Sequence, residues 1–485
     1  MRQTTRALAL AVLPLVALVA IGCTSDDDAE AATPKPFVPV SRAVETEAGV
    51  LVVARDNIAA SLSRAVRLDA GTLEVLDGEV PMHHGGPIDP TGQWVAVFGP
   101  RGNSQLQNLW VYDLDTWELA WSLSGLPPGE LSWQESGLYH WGEHCEMPAD
   151  RGACHWDWNR GLWRLAPQGA EQLVDFDFAS FADSPVIGQD GSKAYVVGME
   201  TDYCCGIAPI GEAFLAILDL EAGEVTERVP LPDLLIGQPG HWLGSTEHLF
   251  KGQYRPGLAV SPDGSRAYVV HSEVERVDVI DLEEHRVSES HRLDEDDSAV
   301  SRLGGWIRDQ FARTASGKTV ASYLRNVALT PDGRYLLISG STVDEKPEDV
   351  ARDAWLDSTA AGLIVVDVLT MEVVYRDEVS RDFRLSPNGY SVLAWGPFHW
   401  GAPRVGLTIL DLRTMDARHL FPGELVGEVL ASPDGVLAYA RFPDARQAGR
   451  LVAIDLATGE VVAEHPLEQR GDMDFDWPSG LEFSR

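Results

Sequence analysis

Six times along this 485-residue chain a turn of the Ser-Pro-Asp-Gly type is followed by an apolar run that ends in Asp plus Leu or Val, 17 to 34 residues after the turn glycine. The turns are Asp89-Pro90-Thr91-Gly92, Gln189-Asp190-Gly191, Ser261-Pro262-Asp263-Gly264, Thr330-Pro331-Asp332-Gly333, Ser386-Pro387-Asn388-Gly389 and Ser432-Pro433-Asp434-Gly435. Proline presets φ at the second turn position, Asp or Asn tolerates the next, and glycine takes the positive φ that closes a hairpin. The flanking apolar stretches alternate or run solid, as strands do. A repeat of this length is one supersecondary unit that buries its faces only against its neighbours, so the repeat dictates the architecture.

Two further units are degenerate. Leu131 to Phe176 has Glu135-Ser136-Gly137 at its first turn and Trp163-Arg164-Leu165 where the others carry Asp-Leu; Val50 to Leu76 has nothing before it to serve as a first strand. The C-terminal Pro478-Ser479-Gly480-Leu481-Glu482-Phe483-Ser484 reads like Pro256-Gly257-Leu258-Ala259-Val260-Ser261, a first strand stopping short of its turn. Four antiparallel strands per repeat resemble a β-propeller blade, in the broad group with Ser-Pro-Asp-Gly turns that includes YVTN and WD40-like propellers. The resemblance implies an all-β propeller closed by the C-terminal strand joining the first blade, which leaves no unpaired edge there. The expected count is eight blades, or seven if Val50–Leu76 or the Trp-rich unit packs outside the ring. Such motifs specify fold and hardly touch activity.

Arg2 and Arg6 precede an apolar run, Ala7 to Ile21, too short to span a bilayer comfortably, which reads as an export signal. Ala20-Ile21-Gly22-Cys23 resembles the lipobox of bacterial lipoproteins, although Leu is commoner where Ala20 stands; the resemblance implies that Cys23 is acylated. An ordinary cleavable signal with an incidental cysteine is the other reading. The expected organisation is a signal peptide over 1–22, a lipidated Cys23 and acidic, Pro-rich tether over 23–44, and one propeller domain over 45–485. It places the body in water outside the cytoplasm, in the cell envelope, held to the membrane by lipid alone. With 74 acidic and 38 basic residues and a formal charge of −36, nucleic acid is excluded as a partner.

If the strands of a blade are lettered A to D from the axis outward, A-B and C-D turns share one face and B-C and D-A connections the other. The A-B and C-D turns are short, as in Leu220-Glu221-Ala222-Gly223-Glu224, whereas connections such as Pro232 to Tyr254 and Asp294 to Leu324 are long. The surplus chain therefore falls on one face, the expected binding surface. Eight residues before the turn glycines stand His84, Asp183, Arg325 and Arg381, with Arg255 one further back. They mark the loop-face mouth of the channel, where His241 and Trp400 are also expected. Converging basic groups suit an anionic ligand; the alternative is that each Arg pairs with a local acid such as Asp382.

His140, His144, Cys145, Cys154 and His155 crowd one B-C loop and are of the types that ligate a divalent metal. The plainer expectation is a disulfide of Cys145 with Cys154, with Cys204 and Cys205 as further candidates; four cysteines allow three pairings. No cofactor is expected. Trp94, Trp110 and Trp163 read as packing between blades. No nucleophile elbow, zincin helix or Walker loop is present in the sequence. The expectation is a binding module for an envelope or extracellular protein, or for a small anionic or carbohydrate ligand. A lactonase-like or other metal-assisted hydrolase at the channel mouth is the second reading.

Overall fold

In a computed structural model the described residues lie between 50 and 484. They exclude 58–61, 83–88, 90–92, 99–106, 114–115, 117, 127–128, 135–136, 145–158, 177, 181–184, 201–211, 237–253, 294–319, 346–357, 397–402, 433, 443–448, 467–475 and 478–480. All regular structure among them is strand, arranged as antiparallel meanders in successive sheets. In chain order, sheet 1 spans Val50 to Met82, sheet 2 Trp94 to Leu126, sheet 3 Gly129 to Phe176 and sheet 4 Ala179 to Leu231. Sheet 5 spans Gly257 to Arg292, sheet 6 Val320 to Arg376, sheet 7 Asp382 to Leu420 and sheet 8 Glu428 to Pro466.

The C-terminal strand Leu481–Ser484 pairs antiparallel with Val50–Val53, Val50 opposite Ser484 and Val53 opposite Leu481. Sheet 1 thus takes its A strand from the far end of the chain. Tyr439 of sheet 8 fastens the same junction: its buried hydroxyl donates to the carbonyl of Ala70 at 2.7 Å. Around it Leu68, Ala70 and Leu73 pack with Leu437, Leu451 and Ala453. Comparable apolar clusters fill the seams from sheet 2 through to sheet 8. The core is therefore a set of seams between sheets, to which each fully buried Leu or Val contributes about 2 kcal/mol.

The architecture is an all-β propeller of four-stranded antiparallel blades. The count corrects the expectation of eight blades in favour of seven: among the described residues seven sheets have the four-stranded blade, and sheet 2 has three strands, Trp94–Phe98, Gln107–Asp113 and Leu119–Leu126. Neither Val50–Leu76 nor the Trp-rich unit is the incomplete one. The stretch before Trp94 that the repeat assigns to an A strand, 83–88, lies outside the described residues. Trp94, Trp110 and Trp163 do lie in strands; Trp94 and Trp163 pack in the seam of sheets 2 and 3.

The turn signature acts as expected. In sheet 5 the Gly264 N–H donates to the Ser261 carbonyl at 2.8 Å, the Ser261 hydroxyl donates to Asp263 at 2.6 Å, and the Ser265 N–H donates to Asp263 at 3.0 Å. These bonds, led by the Ser261 hydroxyl, pull the Asp263 carboxyl down to about 2. Thr330–Asp332 and Ser386–Asn388 repeat the device. The C-D turns of sheets 1, 4, 5, 6 and 8 open on Asp side chains that accept two backbone N–H groups each, as Asp281 does from Glu283 and Glu284.

Candidate functional site

The meander sorts the connections by face. No A-B or C-D connection between assigned strands exceeds five residues; 261–265, 330–334 and 386–390 are typical A-B turns. The longer ones, such as 200–212, 232–253, 293–319 and 396–406, are all B-C or D-A. The loop face therefore holds the variable chain and the N-terminal ends of the innermost strands.

Those ends form an arc across sheets 5, 6 and 7. Tyr254–Arg255 leaves its own blade to pair in parallel with the A strand of sheet 6, setting Arg255 beside Leu324, next to Arg325. The crossing is close: a Cβ on Gly257 would lie 2.0 Å from Val327 Cγ2 and 3.5 Å from Arg325 Cβ, so only glycine lets the two innermost strands approach here. One blade on, the Asn326 amide donates to Asp382 Oδ1 at 2.8 Å, joining the A strands of sheets 6 and 7. Arg381 Nε lies 3.7 Å from Asp382 Oδ2, with both side chains about one-third exposed. Burial pushes the Asp382 carboxyl up, against the pull of Arg381, of the Asn326 amide and of Arg384.

Of the residues expected at the mouth, Arg255, Arg325 and Arg381 thus fall on neighbouring innermost strands, and Arg381 has Asp382 as its acidic neighbour, as in the alternative of local pairing. His84, His241 and Trp400 lie outside the described residues, as do Cys23, Cys145, Cys154, Cys204, Cys205 and His155. His140 is fully buried in the second strand of sheet 3, its ring 5.7 Å from that of Trp163; His144 ends the same strand. Among the described residues no group of three or more His, Cys, Asp and Glu is placed to hold a metal ion. Asn326 and Arg384 were not singled out in sequence. Their signal was position, four and two residues before the turn Thr or Ser on an innermost strand.

A second polar cluster occupies the loop-face end of the seam between sheets 4 and 5. His271 Nε2 lies 2.9 Å from Asp278 Oδ2, both buried, and Asp278 Oδ1 accepts from Arg276 Nε at 2.9 Å and from the Ser290 hydroxyl at 2.6 Å. Arg276 also reaches Asp233 of the preceding blade at 3.2 Å, and His271 Nδ1 lies 3.8 Å from Glu273. Burial opposes charge on His271, but bonding to Asp278 and Glu273 outweighs it and holds the imidazole above its ordinary value. Burial likewise works against the Asp278 carboxylate, yet His271, Ser290 and Arg276 keep its pKa below the usual carboxylate range. Both Asp278 oxygens are bonded within the cluster, which ties the short B-C hairpin 271–275 to the seam.

No family model matches the chain, and no curated protein does. Among solved structures it is similar to dihydro-heme d1 dehydrogenase NirN, with a TM-score of 0.49, 14% identity, and 92% of this chain and 77% of that one covered. It is similar to AztD of Citrobacter koseri, at TM-score 0.47 and 11% identity over 90% of this chain and 97% of that one. The β-propeller domain of Cps50 (Swd1) from Myceliophteria thermophila gives TM-score 0.41 and 15% identity, covering 75% of this chain and 94% of that domain. At these identities and TM-scores, nothing about ligand or chemistry passes from those proteins to this chain.

Proposed function

We propose that this chain is a lipid-anchored, extracytoplasmic propeller that binds a ligand or partner protein through its B-C and D-A face. The observation that carries the reading is the segregation of the connections. Long loops cost closure entropy, so their confinement to one face supports that face as the surface that does something other than fold. The mouth of the channel on that face, lined by Arg255, Arg325, Asn326, Arg381 and Asp382, supplies its fixed polar groups.

The anchor rests on the apolar run Ala7 to Ile21 and on Cys23. Among the described residues no helix is long and apolar enough to cross a membrane. Two measurements test the proposal. Labelling with radioactive palmitate in a bacterial host should mark the native chain and not Cys23→Ser, which should leave the membrane fraction; equal labelling overturns the anchor. Affinity capture from envelope extract should lose its partner with Arg255→Glu/Arg381→Glu on the loop face and keep it with Arg266→Glu/Arg413→Glu on the turn face. The reverse pattern overturns the binding face.

A further inference from the structure

The innermost strands follow a rule that one residue breaks. In sheets 5 to 8 the residues one and three positions before the turn Ser or Thr pack into the seam with the preceding blade: Leu258 and Val260, Val327 and Leu329, Phe383 and Leu385, Val429 and Ala431. By the two-residue alternation of a strand, the positions two and four before the turn face the other way. Two before the turn, Ala259 is buried in the next seam and Leu430 is half-buried in the seam with sheet 1. Sheet 7 has Arg384 there, and it is exposed. A side chain on the innermost strand is flanked by blades on both sides, so its exposure means that it opens on the axis or at an end of the ring.

Arg384 makes no hydrogen bond or ion pair among the described residues. Asp382 stands two positions nearer the mouth, about 7 Å along the strand, and Arg384 acts on it electrostatically. The other charges on the neighbouring innermost strands are Arg381, Arg325 of sheet 6, and Glu428, which stands opposite Arg441 in sheet 8; Glu482 holds the position equivalent to Arg384 on the closing strand of sheet 1. Arg381 and Arg384 carry two positive charges against one carboxylate on this strand, and burial favours the neutral form of that carboxylate. An Arg in a channel with fewer acids than bases beside it presents a forked donor that matches an oxyanion. The chain as a whole is strongly acidic, so this local surplus does not follow from composition.

We propose that the axial channel binds a small oxyanion, a carboxylate or phosphate, on Arg384, with Asn326, Arg381 and Asp382 at the entrance above it. The inference rests on the loop-face reading and narrows it to a ligand class. A protonated Asp382 donates a hydrogen bond to a bound oxyanion, so affinity rises as pH falls towards the ordinary carboxylate range.

The test is calorimetric titration of the mature protein, at low ionic strength, with citrate and with inorganic phosphate. Saturable binding of one or both is expected; the tighter probe identifies carboxylate or phosphate as the group preferred. Arg384→Gln should weaken that binding at least tenfold, while Arg286→Gln, an exposed arginine beside a C-D turn, should leave it unchanged. Absence of saturable binding by either probe, or equal affinity in Arg384→Gln, overturns the proposal. Since partner capture by the loop face is read separately, an intact capture with no oxyanion binding sinks this inference and leaves the face assignment standing.

Discussion

The two faces of the ring are built on opposite principles. On the turn face of sheets 5 to 8 the A-B turns satisfy their own polar groups and then touch one another: a Cβ on Gly333 would meet Pro262 Cδ at 3.1 Å, one on Gly389 would meet Pro331 Cδ at 2.8 Å, and one on Gly435 would meet the Asn388 amide. Successive turns therefore interlock around the axis, and chain length there is fixed. On the loop face the short hairpins are pinned by buried polar clusters such as His271–Asp278, while neighbouring connections run from 396 to 406 or from 293 to 319. One face holds the blades at a common pitch; the other is released from that duty. A propeller can thus vary its binding surface without disturbing the ring.

The largest expected effect comes from the strand that closes the ring. Deleting 481–485 removes the partner of Val50–Val53 and exposes a sheet edge. The melting temperature should fall by more than about 10 °C, a loss of several kcal/mol; an unchanged melting curve would show that the closure is ornamental.

Next in size is the seam clamp. Asp278→Ala leaves the buried His271 without its partner and removes one of the acceptors of Arg276, and should cost about 3 kcal/mol in chemical denaturation. Its pH dependence has two limbs. His271 has a raised pKa in the folded state, so its contribution is complete below the ordinary value and is lost as pH rises through the raised one. Asp278 has a lowered pKa, so its contribution is complete above the ordinary carboxylate value and is lost as pH falls through the lowered one. As pH rises above the ordinary histidine value, wild-type stability should decline by more than that of His271→Gln, measured by urea midpoints. Parallel declines would mean that the pair is neutral in the fold.

The turn face is tested by two glycines with nearly the same backbone. Gly264 and Gly389 have φ of 69° and 73°, so alanine strains both by about 1 kcal/mol. Gly264 has nothing within 4 Å of its Cβ position, whereas Gly389 abuts Pro331. Gly389→Ala should cost about 2–3 kcal/mol and Gly264→Ala about 1; equal costs would mean that the turns do not interlock. The smallest effect belongs to the exposed pair Arg164–Glu171, 2.6 Å apart on the outer strands of sheet 3. Glu171→Gln should change stability by less than about 0.5 kcal/mol.

Much of this ring was legible in sequence because its turns are local chemistry. Ser261, Asp263 and Gly264 announce their hairpin by residue type alone, and Gly223 and Gly459 mark C-D turns where φ is 74° and 77°. His285, Met371 and Met415 take the same left-handed conformation in equivalent turns, with φ between 51° and 59°, and no residue preference announces them. The closing strand was legible because Leu481–Ser484 repeats the pattern of a blade's first strand. The three-stranded description of sheet 2 was not, since Asp89-Pro90-Thr91-Gly92 reads in sequence like the turns of the complete blades.

The candidate site was legible only as a ring of positions. Arg255, Arg325 and Arg381 follow from counting back from the turn glycines. The bond between Asn326 and Asp382 joins residues 56 apart in sequence and depends on how two blades sit side by side. Arg384 required knowing which positions of a strand are covered by a neighbouring blade. The His271–Asp278 cluster lies within one hairpin, yet alternating polar residues there read equally well as a solvated strand.

Site-specific photo-crosslinking in the producing cell tests the division of labour between the faces most directly. A photoreactive residue would replace Arg255, Arg404 or Glu424 on the loop face, and Arg266, Arg286 or Arg413 on the turn face. Crosslinked adducts from the first set and none from the second are expected. Adducts confined to the turn-face positions would contradict the assignment of the loop face as the working surface.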